Sequence, residues 1–171
     1  MTVWTILSVV LTVVALANLV LLLGIVARLR VLHTAALARA PVSRLPEVGR
    51  PVRPFELVEA GGAAITDRGL ATGTTVVGFF TTGCRKCARV RAALVERPPA
   101  HPTVLLINGN PDEAETQAMG AALIGVGQVG YFEDLAVPRA FGVLGYPTLL
   151  RIEDGRIAAV GRELDDIGAA P

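Results

Sequence analysis

The stretch Val76-Val77-Gly78-Phe79-Phe80-Thr81-Thr82-Gly83-Cys84-Arg85-Lys86-Cys87-Ala88-Arg89-Val90-Arg91-Ala92-Ala93-Leu94 decides how the chain is read. An apolar run of strand length passes through a threonine–glycine turn into a pair of cysteines and then into a helical pattern. These are the only two cysteines in 171 residues. Their position puts Cys84 at the helix start, where unpaired backbone N–H groups and the helix dipole favour a thiolate. Arg85 and Lys86 add positive charge beside it, push its pKa the same way, and make the disulfide more oxidising than a neutral pair would. Cys87, one turn further in, reaches the first sulfur but is shielded. The pattern therefore predicts Cys84 as the attacking thiol and Cys87 as the resolving one.

Competing uses of the cysteines fit less well. A zinc site needs about four ligands, and the chain offers no third cysteine and only His33 and His101, both far from the dithiol in sequence. A purely structural disulfide closing so small a loop contributes little chain entropy to stability. No metal and no cofactor are expected.

Outward from the dithiol, Thr103-Val104-Leu105-Leu106-Ile107 reads as a second buried strand, after Pro98, Pro99 and Pro102 have ended the helix. Asp112 to Ile124 reads as a helix with Pro111 and two acids at its start. Gly125 to Gly130 reads as loose, with at most a brief strand around Val126 and Val129. Asp134 suits the cap of a short helix through Phe141. Two strand-like runs flank Asp154-Gly155, a strong hairpin signal, with Tyr146-Pro147 at the head of the first. A shorter hairpin is expected around Gly61-Gly62. After Val160 too little chain remains for a full terminal helix.

The N-terminus differs in kind. Residues 3–26 carry no charge and are long enough to cross a bilayer as a helix. A cleaved signal peptide is the runner-up, since Ala36-Leu37-Ala38 and Ala38-Arg39-Ala40 have the small-x-small pattern. Those sites lie beyond Arg28 and Arg30, and the apolar run is too long for one. The expected organisation is a transmembrane anchor over 1–27, a juxtamembrane helix and Pro/Arg-rich linker over 28–54, and one domain over 55–171. Sixteen basic residues balance fifteen acidic ones, so no nucleic-acid footprint is present.

The order strand, dithiol helix, strand, helix, Tyr146-Pro147-Thr148, hairpin resembles a thioredoxin fold. Within that superfamily the chain is most similar to membrane-anchored thiol–disulfide oxidoreductases of the TlpA and ResA type. The anchor followed by Arg28-Leu29-Arg30-Val31-Leu32-His33 also resembles accessory proteins of the MauD type. The resemblance covers about Phe55 to Gly161 and implies a three-layer α/β domain behind a single transmembrane helix. It implies protein disulfides or dithiols as substrates, a redox partner that recycles the dithiol, and a cis Pro147 facing the cysteines. The backbone of Tyr146 would then pair with an extended substrate segment.

Departures from the pattern are instructive. Gly83 and Arg85-Lys86 stand where relatives carry other residues, and Gly78 occupies the place of a buried acid in thioredoxins proper. Glu133 and Asp134 are candidate substitutes for that acid, a solvated or capping role being the plainer reading of each. The other function class is a membrane-anchored assembly or chaperone-like binding protein with a non-catalytic dithiol. For sidedness, the arginines after the apolar run favour the cytoplasm, whereas the resemblance implies an extracytoplasmic domain. The latter is the expectation carried forward.

Overall fold

The computed structural model describes residues 45–59 and 61–168, together with Trp4, Ile6, Leu11, Leu16 and Asn18. The chain divides into two compact units, Met1–Val42 and Ser43–Pro171. In the first, the five described residues are helical and exposed. Among the described residues no helix is long and apolar enough to cross a membrane. The expected span over 3–26 otherwise lies outside the described residues, as does His33.

In the second unit the strand that leads to the dithiol is central. Strands β1 (Glu56–Val58) and β2 (Ala64–Thr66) form a small antiparallel hairpin. The main sheet contains β3 (Thr74–Thr81), β4 (Thr103–Asn108), β5 (Gln128–Phe132), β6 (Thr148–Glu153) and β7 (Arg156–Gly161), in the order β5-β4-β3-β6-β7. β3 runs parallel to β4 and antiparallel to β6, and β4 runs parallel to β5. With neighbours on both edges and layers on both faces, β3 is buried almost throughout. That is why it reads as a continuous apolar run rather than an alternating one.

The two-residue period of β3 divides the core. Val77 and Phe79 point to one face, where they meet Leu106, Phe132 and Phe141. The rings of Phe132 and Phe141 stand edge-on to Phe79, with centroids 6.1 and 5.1 Å away. Val76 and Phe80 point to the other face, where helix α1 (Arg85–Glu96) lays down Cys87, Val90 and Leu94 and helix α2 (Ala114–Ala121) lays down Met119. Helix α3 (Ala136–Phe141) covers the first face, completing three layers.

Several expectations are adjusted. The helix expected from Asp112 to Ile124 is shorter, Ala114–Ala121. The loose stretch Gly125–Gly130 yields instead a full edge strand, β5. Gly130, which breaks the apolar pattern there, lies under the Leu57 side chain, where a Cβ would collide. Its place in the strand is thus set by close approach of the β1–β2 hairpin. The Asp154-Gly155 hairpin is present, both residues having positive φ (47° and 73°) as a two-residue type I′ turn requires.

The described end of the expected linker is tied to the domain rather than free. Gly49 N–H and Val52 N–H donate to Ile157 and Gly155 carbonyls at 2.7 and 2.9 Å, and Arg53 N–H donates to the Ala140 carbonyl at 3.1 Å. Its prolines suit this position because they lack the N–H that a central strand would need. After β7 the chain makes a single 3-10 turn, Asp165–Ile167, with Leu164 and Ile167 buried against the α1 face.

Candidate active site

β3 and β4 are parallel, so their C-terminal ends, Thr81 and Asn108, lie at the same edge of the sheet. Crevices at the carboxyl ends of parallel strands are where open α/β sheets place their chemistry. Here the dithiol follows β3 directly. Gly83, with φ +66°, turns the chain into α1, and Cys84 is the N-cap residue. Its Sγ accepts the Cys87 backbone N–H at 3.2 Å, so the sulfur takes the position that a capping oxygen usually holds. Cys84 and Cys87 are joined as a disulfide, with Cα atoms 5.2 Å apart.

The two sulfurs are not equivalent. Cys84 is half-buried, while Cys87 is wholly enclosed by the α1 face of the core. Arg85 and Lys86 are exposed beside them. An attacking thiol must be reached by another molecule, whereas a resolving thiol needs only to reach its neighbour. The difference in burial leaves Cys84 as the sulfur that another molecule can reach.

β6 enters the same edge from the opposite direction, with Thr148 opposite Phe79. That register carries Pro147 and Tyr146 toward the end of β3. The Tyr146–Pro147 bond is cis, as the resemblance implies. Thr148 donates its hydroxyl to the Gly145 carbonyl at 2.7 Å and so ties down the loop that presents Pro147. Tyr146 packs against both core clusters, the one containing Cys87 included. Burial pushes its phenol above the ordinary tyrosine pKa, against the opposing pull of the Asn108 side chain hydrogen-bonded to it.

The two acids named from the sequence, Glu133 and Asp134, follow β5 directly. Asp134 Oδ1 accepts the Ala136 N–H at 2.9 Å, a helix-start role, and Glu133 is exposed next to β5. Gly78 has no room for an acid, because a Cβ would lie 2.7 Å from the Phe80 ring and 3.2 Å from Leu105. The acid that does reach the site is Glu115, in the first turn of α2, whose Oε1 accepts the Gly83 N–H at 3.0 Å. Glu115 also acts on Arg91 of α1, partly offsetting the burial that lowers the Arg91 pKa. Its signal in the sequence was positional. The helix after β4 must start beside the helix after its parallel neighbour β3, so an acid in its first turn falls near Cys84. Among the described residues no group of three or more His, Cys, Asp or Glu is placed to hold a metal.

No protein-family model matches the sequence, and no curated protein matches it significantly. Solved structures do. The thioredoxin domain of a thiol-disulfide oxidoreductase from Bacteroides vulgatus superposes with a TM-score of 0.59 at 14% identity, over 71% of this chain and 92% of that one. A thiol:disulfide interchange protein from a Bacteroides species gives 0.58 at 15% identity, over 71% and 85%. A thio-disulfide isomerase from Thermus thermophilus gives 0.54 at 19% identity, over 67% and 85%. The domain therefore has a thioredoxin-like fold, shared with thiol–disulfide oxidoreductases.

Proposed function

We propose that the protein is a membrane-tethered thiol–disulfide oxidoreductase that exchanges its Cys84–Cys87 pair with disulfides or dithiols of other proteins. The observation that carries this reading is the asymmetry of the pair: an accessible sulfur at a helix N-cap, hydrogen-bonded to a backbone N–H, next to a buried one.

In the reducing direction the Cys84 thiolate attacks one sulfur of a client disulfide. A Cys84–client mixed disulfide forms and the client's other sulfur leaves as a thiolate. Cys87, having lost its proton, then attacks Cys84 Sγ; the intramolecular disulfide forms and the second client thiolate leaves. Two electrons pass to the client, whose thiolates take up two protons. The reverse sequence oxidises a client dithiol, and a separate redox partner resets the pair. Arg85 and Lys86 stabilise the Cys84 thiolate, while Glu115, bonded to the amide just before it, opposes them. Tyr146 and Pro147 border the substrate site. No cofactor takes part.

The apolar stretch 3–26 is the tether in this reading, lying in the lipid bilayer as a single pass. The dithiol domain, 55–171, works on the extracytoplasmic side, where protein disulfides persist. The kinship this implies is with anchored proteins of the TlpA and ResA type. Turnover tests the reading against a binding protein with an idle dithiol. Reduced protein should reduce insulin disulfides, or oxidised protein should oxidise a dithiol peptide, and activity should vanish in Cys84→Ser. Failure in both directions rules out the enzyme.

A further inference from the structure

One face of α1 and its C-cap carry Lys86, Arg89, Val90, Ala93 and Arg97, spaced at the three- and four-residue steps that bring side chains into one stripe. The stripe forms one wall of a groove of about 360 Å³ whose other side includes Pro147 and the segment 162–165. Its floor is apolar, from Val90, Ala93, Pro147 and Leu164. Its rim carries four cations, Lys86, Arg89, Arg97 and Arg162, against two acids, Glu163 and Asp165. Asp165 faces Arg97 at 4.0 Å, a pair more than half exposed and thus weak. Among the described residues Lys86 and Arg89 have no ion-pair partner, and both are exposed. Of the four cations of the groove they are also the nearest to the dithiol along the chain.

We propose, on the oxidoreductase reading above, that this groove selects clients with acidic residues flanking the reacting cysteine. An extended segment whose cysteine has joined Cys84 continues past Pro147 and over the apolar floor, where its carboxylates meet Lys86 and Arg89. The stripe from Lys86 to Arg97 is about 16 Å long at helical rise. An extended chain covers that length in about five residues, so the acids fall within about five residues of the client cysteine. Such partly exposed charges act mainly on encounter, raising the association rate in a salt-dependent way.

The test measures second-order rates of exchange between reduced protein and three disulfides. Two are peptides of matched length, one with acidic and one with basic residues flanking the cysteine, and the third is neutral bis(2-hydroxyethyl) disulfide. At low ionic strength the acidic peptide should react about tenfold faster than the basic one, a steering effect of ordinary size. The ratio of the two rates cancels any change in the reactivity of Cys84 itself. It should fall toward unity in about 1 M salt, where the screening length is near 3 Å, and in the double variant Lys86→Gln/Arg89→Gln. It should persist in Arg139→Gln, which removes an exposed charge on α3, outside the groove. Equal rates for the two peptides, or a ratio unchanged by the double variant, overturn the groove proposal alone. If none of the three disulfides reacts with Cys84, the oxidoreductase reading falls with it.

Discussion

Cys84 and Cys87 have the same side chain, and what separates them is three residues of helix. Cys84, at the N-cap, has its sulfur on a backbone N–H and open to collision; Cys87, one turn later, is sealed into the core. In the reduced protein iodoacetamide should therefore modify Cys84 at least tenfold faster than Cys87, with a Cys84 pKa below the ordinary ~8.5 of a free thiol. Equal rates at the two sites would remove the nucleophile assignment. Glu115 makes a finer test. Glu115→Gln keeps an oxygen to accept the Gly83 N–H and deletes only the charge, so the Cys84 pKa should fall by roughly half a unit. The labelling-rate profile against pH reads this directly. An unchanged profile would make Glu115 a mere strut for the turn. The helix positions of Cys84 and Cys87 could be reasoned from local spacing because helix position is a local property. Glu115 could not, since its hydrogen bond spans 32 residues and depends on which strands are neighbours.

At the scale of elements, β3 and the loop before β6 do most to shape the site. β3 is packed so tightly that the Phe80 ring and Leu105 occupy the space a Cβ of residue 78 would need. Restoring a buried acid there with Gly78→Asp should destabilise the domain by about 3 kcal/mol or more, through overpacking and an unpaired buried carboxyl. A denaturant midpoint close to that of the unsubstituted protein would contradict this packing account. The Tyr146 loop makes a pH prediction. The phenol's pKa is raised in the folded state by burial, so the folded state holds the proton more tightly than the unfolded one. Its contribution is complete below the ordinary tyrosine value near 10 and is lost as pH rises through the higher folded value. Unfolding free energy measured from about pH 10 up to the folded value should decline less steeply in Tyr146→Phe, and an identical slope there would argue against the burial. β3, β4 and the Asp154-Gly155 hairpin were readable because long apolar runs and turn chemistry are local signals. β5 was not, because Gly127 just before it and Gly130 within it break the apolar pattern for reasons that lie in neighbouring elements, the Thr103 backbone and the Leu57 side chain.

For the whole molecule, the proposal joins a redox domain to a tether. The segment around Gly49–Arg53 had composition enough to be read as a spacer, yet its backbone is spent on hydrogen bonds to β7, its turn and the end of α3. Proline content alone does not distinguish a free linker from an edge segment that lacks donors. The account expects the full chain to fractionate with membranes and to resist extraction by high salt or alkaline carbonate while yielding to detergent. In intact cells, after mild reduction, a membrane-impermeant maleimide should label Cys84; protection until lysis would place the domain on the cytoplasmic side instead. The most direct test of the central claim is capture of the exchange intermediate. In cells carrying Cys87→Ser, thiols are quenched with acid and alkylated, and complexes are separated without reductant. The account predicts protein adducts that reductant dissolves and that disappear in Cys84→Ser and in Cys84→Ser/Cys87→Ser. Adducts that survive loss of Cys84, or none from Cys87→Ser, would contradict it.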